Sequence, residues 1–167
     1  MSRAQLSETY RPPVTTVPQP STLLDDQICF ALYSASRAVT SRYRPMLDDL
    51  GITYPQWLAL MALWETDELS VNGLGARLGL DSGTMSPLVK RLEALGLVTR
   101  LRSLEDERQV TVRLTDAGRA LEQPSCALSQ MMIDELGMTV AEFAQLKVVL
   151  ENIARRMGRP LSRSGAH

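Results

Sequence analysis

The residues of this sequence best suited to chemistry are one cysteine and three tyrosines. Tyr33 follows Cys29 by four residues, which places the two side chains on one face of a helix. Tyr43 lies fourteen residues after Cys29, nearly in phase with it, and Tyr54 stands at the start of a later segment. Phenol hydroxyls that donate to a thiolate stabilise its charged form. A thiolate can attack a peroxide O–O bond and become a sulfenic acid, which a second cysteine can trap as a disulfide.

The length of a helix limits which of these groups can meet within one chain. Fourteen residues of straight helix span about 21 Å, so Tyr43 cannot contact the cysteine of its own helix. It can reach Cys29 of a partner chain if the first helices of two subunits pack antiparallel. The alternative for Cys29 is an inert role, because a lone helical cysteine with apolar neighbours usually behaves as a small buried hydrophobe.

The second cysteine, Cys126, is remote from the first in sequence. In a reducing cytosol, a standing structural disulfide between two such cysteines is not expected. The only histidine is His167, and neither cysteine has a C-x-x-C partner. The sequence therefore offers almost no ligands for zinc, and we expect neither a metal nor a cofactor.

Composition places the chain among globular proteins. Its 167 residues are enough for one domain, with 44% hydrophobic and 22% charged residues. It contains no run of eighteen apolar residues and no apolar signal-peptide core near the N-terminus, so we expect a cytoplasmic protein with no membrane partner. The net charge is −1, yet residues 70–119 carry 8 basic and 6 acidic side chains. That weak positive bias is compatible with nucleic-acid binding by this part of the chain.

The elements that must position these groups are predicted to be helices with one β-hairpin. Residues 1–20 contain four prolines and no apolar period, which predicts a disordered arm. A first helix is predicted over 21–50, where apolar and small residues recur at spacings of three and four, with a kink at Pro45. Thr53 and Gln56 form a capping box, which predicts the start of a second, largely buried helix.

Two short helices are predicted next. Ser70 can cap a helix over 71–78, and a glycine-containing break then precedes a helix over 84–95, capped by Asp81 or Ser82. The order of short helix, turn, amphipathic helix and hairpin is typical of a winged helix-turn-helix. The fold class is therefore mainly α with a small β-hairpin wing.

The hairpin and the last helices complete the predicted fold. The segments 97–102 and 108–114 alternate as two strands around a charged tip. A fifth helix begins at Thr115, and a capping box over Thr139–Glu142 begins a sixth that ends near Gly158. The last residues, 159–167, are predicted to form a flexible tail.

The candidate DNA contacts are hydroxyl and charged residues of the predicted fourth helix and of the hairpin. Leu88, Leu92 and Leu95 form the apolar face that docks the fourth helix on the core. Small hydroxyls let the backbone approach the bases, and a lysine can neutralise a phosphate. The candidates are Ser82, Thr84, Ser86, Lys90, Arg91, Arg100, Arg102, Asp106 and Arg108.

The roles within the wing differ. Asp106 is expected to fix the guanidinium of Arg108, which then enters a narrow minor groove where the negative potential is enhanced. Arg100 and Arg102, on the rising strand, are expected to hold the flanking phosphates. The alternative for the whole segment is a winged-helix module that contacts another protein.

Three segments around the hairpin carry a family likeness: Gly96–Arg100, Asp106–Arg108 and Val112–Gly118. They resemble the MarR family of bacterial regulators, and the likeness extends over residues 21–157. The resemblance implies a homodimer on a pseudo-palindromic DNA operator, and terminal helices with apolar faces agree with a two-fold partner.

By the same resemblance, the domain over residues 21–158 has two kinds of parts. Residues 70–115 read the DNA, and residues 21–50 and 116–158 form the dimerisation region.

Further segments resemble the OhrR subgroup of that family, the sensors of organic hydroperoxides: Gln27–Tyr33, Tyr43–Pro45, Thr53–Gln56, Asp81–Thr84, Lys90–Leu92 and Glu105–Arg108. By this resemblance Cys29 reacts with the peroxide, and Tyr43 and Tyr54 hydrogen-bond it from the other subunit. Tyr33 then lines the site from the same subunit.

The resemblance also assigns the environment and the partner of this thiol. Phe30 and Trp57 make the surround apolar, which favours organic over inorganic peroxide, although Trp57 stands where tyrosine is common in the subgroup. Cys126 is the expected partner of Cys29 in an intersubunit disulfide. The alternative is that Cys126 is inert and that oxidation ends as a mixed disulfide with a small thiol.

The function implied is that of a homodimeric repressor that binds its operator when reduced and releases it after oxidation. Its expected regulated gene encodes a thiol-dependent organic hydroperoxide reductase. One alternative is a MarR-type repressor released by a small aromatic ligand, with Cys29 incidental. An enzymatic alternative, a thiol peroxidase, is poorly supported because the sequence offers no site for a regenerating reductant, and we expect no enzyme activity.

Overall fold

The computed structural model describes residues 21–102 and 110–158, and the chain forms two compact units, residues 1–37 and 38–167. A 3-10 turn at Leu24–Asp26 precedes the first helix. The elements are α1 (Ile28–Arg42), α2 (Arg44–Asp49), α3 (Tyr54–Glu65), β1 (Leu69–Ser70), α4 (Val71–Leu78), α5 (Ser82–Ala94), β2 (Val98–Arg102), β3 (Val110–Leu114), α6 (Asp116–Ala120), α7 (Glu122–Leu136) and α8 (Val140–Arg156). The predicted fold class, mainly α with a β-hairpin wing, is confirmed. The predicted arm over 1–20 and tail over 159–167 lie outside the described residues.

The prediction of one continuous helix over 21–50 is wrong, because two helices, α1 and α2, occupy this segment. The chain leaves the helix at Tyr43, and α2 begins at Arg44 with Pro45 in its first turn. Proline has no N–H to donate and crowds the preceding turn, but it is well tolerated in the first turn of a helix. Pro45 therefore starts a new helix instead of bending the old one.

The core of the second unit lies around α3. The predicted capping box at its start is present, with Oε1 of Gln56 accepting from the N–H of Thr53 at 2.7 Å. The helix is apolar on almost every side, so neighbouring elements can cover it all round. Its side chains Leu60 and Leu63 are fully buried together with Leu74, Met85, Val89, Leu92, Val98 and Val112 of the following helices and strands.

The helix-turn-helix follows the predicted bounds closely. Ser70 caps α4 by accepting from the N–H of Gly73 at 2.9 Å, and α4 covers residues 71–78 as predicted. Asp81, one of the two candidate caps, caps α5 by accepting from the N–H of Thr84 at 2.8 Å. The turn between the helices is close, because a Cβ on Gly75 would lie 2.6 Å from the backbone oxygen of Leu80.

The predicted hairpin is present as β2 and β3, which pair antiparallel with Val98 opposite Leu114 and Arg102 opposite Val110. A third strand, β1, pairs with β3 and was not predicted. Two residues are too few to show the alternation by which a strand is recognised in sequence. The tip of the hairpin, residues 103–109, lies outside the described residues.

The predicted fifth helix is split, because α6 ends at Ala120 and α7 begins at Glu122. Pro124 has no N–H to donate to the carbonyl of Ala120, so one continuous helix would lack that hydrogen bond. The capping box of the last helix is confirmed, with Oε2 of Glu142 accepting from the N–H of Thr139 at 2.8 Å. None of the described helices is both long and apolar enough to cross a membrane.

Candidate functional site

Helix α5 presents one apolar face to the core and one polar face to solvent. Its buried residues Met85, Leu88, Val89 and Leu92 recur at spacings of three and four. The predicted docking of Leu95 is wrong, because this residue caps the helix and its side chain is 45% exposed. The polar face carries the predicted candidates: Ser82, Thr84, Lys90 and Arg91 are exposed, and Ser86 is half-buried.

The first turn of α5 is held by a carboxylate. Besides capping the helix, Asp81 accepts from Oγ1 of Thr84 through Oδ2 at 3.3 Å. The hydrogen bonds from the Thr84 N–H and hydroxyl lower the pKa of Asp81 from its ordinary value. Asp81 therefore stays ionised at neutral pH and fixes the side chain of Thr84 at the surface.

The hairpin is tied to α5 by an ion pair. Nε of Arg100 lies 2.7 Å from Oε2 of Glu93, and Oε1 of Glu93 accepts from the N–H of Arg100 at 3.3 Å. A cleft brings Arg100 together with Ser82 and Ser86, while Arg102 is exposed at the end of β2. Arg100 thus positions the hairpin, a role that sequence reasoning missed, and its contact with phosphate stays a prediction.

Two members of the predicted wing contact, Asp106 and Arg108, lie outside the described residues. Their ion pair and their entry into a minor groove stay predictions.

Two of the predicted sensor tyrosines lie together in the second unit. The ring centroids of Tyr43 and Tyr54 are 5.2 Å apart, and the Trp57 ring lies 5.0 Å and 5.8 Å from them. Tyr43 is 7% and Trp57 2% exposed. Burial raises the pKa of both phenols, and for Tyr43 the neighbouring Tyr54 raises the pKa further. Both phenols are therefore protonated hydrogen-bond donors at neutral pH.

The same cluster is anchored to α7. Nε1 of Trp57 donates to Oγ of Ser125 at 3.2 Å, and this hydroxyl donates to the carbonyl oxygen of Leu121 at 2.7 Å. Cys126, the next residue of α7, has its side chain outside the described part of the chain. Sequence reasoning missed Ser125, because no local pattern signals a partner 68 residues away.

Cys29 and Tyr33 lie one turn apart on α1, in the part of that helix that belongs to the first unit. Cys29 is a free, exposed cysteine, so the described part of its own chain does not bury it. Whether its thiol is reactive or inert stays a prediction. The hydroxyl of Tyr33 accepts from Nη1 of Arg37 at 3.0 Å, and the guanidinium lies 5.5 Å from the ring centroid. Sequence reasoning missed Arg37, although its spacing of four residues from Tyr33 signals such a contact.

Among the described residues, no group of three or more His, Cys, Asp or Glu side chains is arranged to hold a metal ion.

Comparison with known proteins identifies the family of this chain. The sequence model of the family "Transcriptional regulator SarA/Rot" matches residues 41–123. The chain is 45% identical over 127 residues to the organic hydroperoxide resistance transcriptional regulator of Bacillus subtilis. The aligned residues cover 76% of this chain and 86% of that protein. This chain belongs to the MarR family of transcriptional regulators, and it is of the OhrR type.

Solved structures of MarR-type regulators agree with this placement. Reduced AbfR bound to DNA matches with a TM-score of 0.71 and 35% identity, covering 81% of this chain and 92% of that one. A disulfide-bonded form of AbfR, a protein of Staphylococcus epidermidis, matches with a TM-score of 0.57 and 34% identity over 81% and 90% of the two chains. A MarR-family regulator of Rhodococcus matches with a TM-score of 0.71 and 26% identity over 80% and 96%. The predicted membership of the MarR family is thus confirmed.

Proposed function

We propose that this MarR-family regulator is a homodimeric repressor that releases its operator when an organic hydroperoxide oxidises Cys29. The observation that carries the proposal is the pair of protonated phenols, the buried Tyr43 and the half-buried Tyr54, packed against Trp57. Fixed donors of this kind stabilise a thiolate placed against them. The likeness to a regulator of organic hydroperoxide resistance and to AbfR in a disulfide form supports the same chemistry.

The chemical step is a two-electron oxidation of sulfur. The thiolate of Cys29 attacks one peroxide oxygen, so that an S–O bond forms while the O–O bond breaks. The alkoxide that leaves takes up a proton and departs as the alcohol, and Cys29 becomes a sulfenic acid. The thiolate of Cys126 from the other subunit then attacks this sulfur, so that an S–S bond forms while the S–O bond breaks. The hydroxide that leaves takes up a proton and departs as water.

Each tyrosine has a place in this site. Tyr43 and Tyr54 of one subunit donate to the Cys29 thiolate of the partner, and Tyr33 lines the pocket from the same subunit as the cysteine. The apolar faces of the aromatic cluster favour the organic group of the peroxide over water. This gives the site a preference for organic hydroperoxides.

The dimer follows from apolar side chains that their own chain leaves uncovered. Along α8, an apolar stripe recurs at spacings of three and four, and no residue of this helix is buried. The stripe consists of Phe143, Leu146, Leu150, Ile153 and Met157. In the proposed dimer a second copy of the chain covers this stripe, and residues 21–50 and 116–158 form the dimerisation region.

The reader over residues 70–115 then contacts DNA through α5 and the wing. Ser82, Thr84 and Ser86 lie at the start of α5, where contacts with the DNA groove are made. Lys90 and Arg91 bind backbone phosphates. On the wing, Arg102 holds a flanking phosphate, Arg100 supports the strand, and Arg108 held by Asp106 enters the minor groove. A disulfide between the subunits rotates the two readers and spoils the half-site spacing that a rigid dimer must match.

The experiment that tests this function is operator binding during titration with an organic hydroperoxide such as cumene hydroperoxide. The wild type, Cys29→Ser and Cys126→Ser are compared on a palindromic fragment, with hydrogen peroxide as the second oxidant. We expect the wild type to release the DNA and Cys29→Ser to stay bound. Retarded or reversible release by Cys126→Ser identifies the intersubunit disulfide. Equal behaviour of all three proteins contradicts the thiol mechanism and favours release by a small ligand.

A further inference from the structure

One carboxylate joins three elements of the second unit at the root of the wing. Oδ1 of Asp67, in the turn after α3, accepts from the N–H of Leu114 at the end of β3, at 2.9 Å, and from the N–H of Glu68, also at 2.9 Å. Its Oδ2 lies 2.7 Å from Nη1 of Arg119 in α6. The second guanidinium nitrogen of Arg119 donates to the carbonyl oxygen of Leu114 at 3.3 Å. The turn, the wing and α6 are thus joined by a single side chain and its partner.

The charge state of this carboxylate is set by the same contacts. Burial favours the neutral acid, but the hydrogen bonds from Leu114, Glu68 and Arg119 outweigh it and lower the pKa of Asp67 from its ordinary value of 3.8. Asp67 is therefore ionised at neutral pH. The contact with Arg119 is an ion pair made through one charge-assisted hydrogen bond, from Nη1 of Arg119 to Oδ2 of Asp67.

Helix α6 also lies directly against the backbone at the start of the wing. Oγ1 of Thr115 donates to the carbonyl oxygen of Gly96 at 2.6 Å. Nε1 of Trp64 donates to the carbonyl oxygen of Gly118 at 3.0 Å. A Cβ on Gly118 would lie 2.0 Å from the carbonyl oxygen of Leu97, so the approach is as close as glycine allows. A small rotation of α6 must therefore displace the wing strands.

We propose that Asp67 is a positioning residue for DNA binding, because it fixes the end of β3 to α6 and so sets the orientation of the wing. This inference rests on the proposed function, in which the wing contacts DNA. Asp67 carries the wrong charge to bind phosphate. It can therefore favour DNA binding only through the position of the wing, while its charge acts in the opposite direction.

The substitution Asp67→Asn separates position from charge. Asparagine can still accept from the N–H groups of Leu114 and Glu68 through its oxygen, but it turns an N–H donor toward the guanidinium of Arg119. Loss of a negative charge strengthens binding to DNA if only the overall field changes. If Asp67 positions the wing, its substitution weakens DNA binding instead. We therefore expect the operator affinity of Asp67→Asn to fall by about fivefold.

Neighbouring residues supply matched charge controls. Glu68 is adjacent to Asp67 and pairs with Arg113 of β3, and both of these side chains are about half exposed. Glu68→Gln removes the same charge as Asp67→Asn, and Arg113→Gln removes the same charge as Arg119→Gln. Neither control touches α6. Each therefore reports the change of electrostatic field together with the loss of the Glu68–Arg113 ion pair, and it leaves the contact between Asp67 and Arg119 in place.

The test measures operator affinity by fluorescence anisotropy for the reduced full-length dimer and these variants. We expect Asp67→Asn and Arg119→Gln each to bind more weakly than its charge control, and the double variant to bind no more weakly than the single variants. Hydrogen exchange is followed in parallel, and we expect residues 110–121 to exchange faster in Asp67→Asn than in Glu68→Gln.

The outcomes separate this inference from the proposed function. An Asp67→Asn protein that matches Glu68→Gln in both affinity and exchange overturns the positioning role. Failure of the wild type to bind any operator overturns the proposed function instead. Hydrogen exchange of residues 110–121 then tests whether Asp67 holds the end of β3 to α6. Binding that persists without any response to peroxide counts against the sensor but leaves the affinity comparison valid.

Discussion

The segment from α3 to β3 and the helix α8 differ in how completely their own chain buries them. Leu60, Leu63 and Val112 of the first region are fully buried, whereas α8 contains no buried residue although every third or fourth side chain is apolar. Helix α1 resembles α8 in this respect. One region has its stabilising contacts within a single chain, and the other lacks them until something covers its apolar face. We therefore expect that folding of the segment from α3 to β3 and the proposed dimerisation through α8 can each be perturbed alone.

The largest effect expected from this comparison is on the core. Leu60→Ala removes a fully buried side chain and leaves a cavity, so we expect the free energy of unfolding to fall by about 3 kcal/mol. Urea denaturation followed by circular dichroism measures the change, at a fixed and high protein concentration. A loss smaller than about 1 kcal/mol would mean that the segment from α3 to β3 is not the independently packed region.

Helix α8 provides the complementary test. Leu150 is 40% exposed within the apolar stripe, and Leu150→Asp is expected to weaken self-association by about 2 kcal/mol while secondary structure is retained. Sedimentation equilibrium over a range of concentrations measures the dimer constant. Gln145→Glu, about 120° around the helix axis from the centre of the stripe, is the control and should leave the constant unchanged. Equal effects of the two variants would contradict a dimer contact through the stripe.

The hydrogen bond between Trp57 and Ser125 joins the buried region to α7, the helix that precedes α8. Trp57→Phe keeps an aromatic ring but removes the hydrogen-bond donor to Ser125, and the lost hydrogen bond is expected to cost about 1 kcal/mol. The start of α7 is then held less firmly beside Cys126. We expect the Cys29–Cys126 disulfide to form faster on non-reducing gels after peroxide, with unchanged trapping of the Cys29 sulfenic acid. Ser125→Ala must behave in the same way, or the link has no role in the redox step.

The smallest effect is the pH dependence of the tyrosine pair. Folding raises the pKa of Tyr43 and Tyr54 above the ordinary value of 10.0, so it favours the protonated phenols. Their contribution to stability is therefore fully present below pH 10 and is lost as the pH rises through the higher folded values. Ultraviolet titration of phenolate, compared with the Tyr43→Phe and Tyr54→Phe variants, measures it. Titration of both phenols at or below the ordinary value would contradict their burial.

Local signals in the sequence located most of the elements. Capping boxes at Thr53 and Thr139 and the cap at Ser70 each depend on residues within one turn, so their hydrogen bonds are already implied by spacing. Prolines were harder to interpret. Pro45 marked an interruption correctly, but whether the chain bends or begins a new helix there depends on how the flanking segments pack.

The candidate site was predictable only in its residue types. The spacing of Cys29, Tyr33, Tyr43 and Tyr54 suggested thiol chemistry, and the structure places two of these phenols beside each other in the second unit. Which polar groups hold the site in position was not predictable. The hydrogen bond from Trp57 spans 68 residues of sequence.

The sequence by itself determined the winged helix-turn-helix, because periodicity, caps and turns are properties of neighbouring residues. It also determined the candidate reactive groups, because a thiol and phenols carry their chemistry wherever they lie. Only the tertiary structure decided that β1 completes the sheet, that Arg100 is tied to Glu93, and that Asp67 joins Leu114 to Arg119. These contacts join residues distant along the chain, and their directional hydrogen bonds form only after packing has brought the elements together.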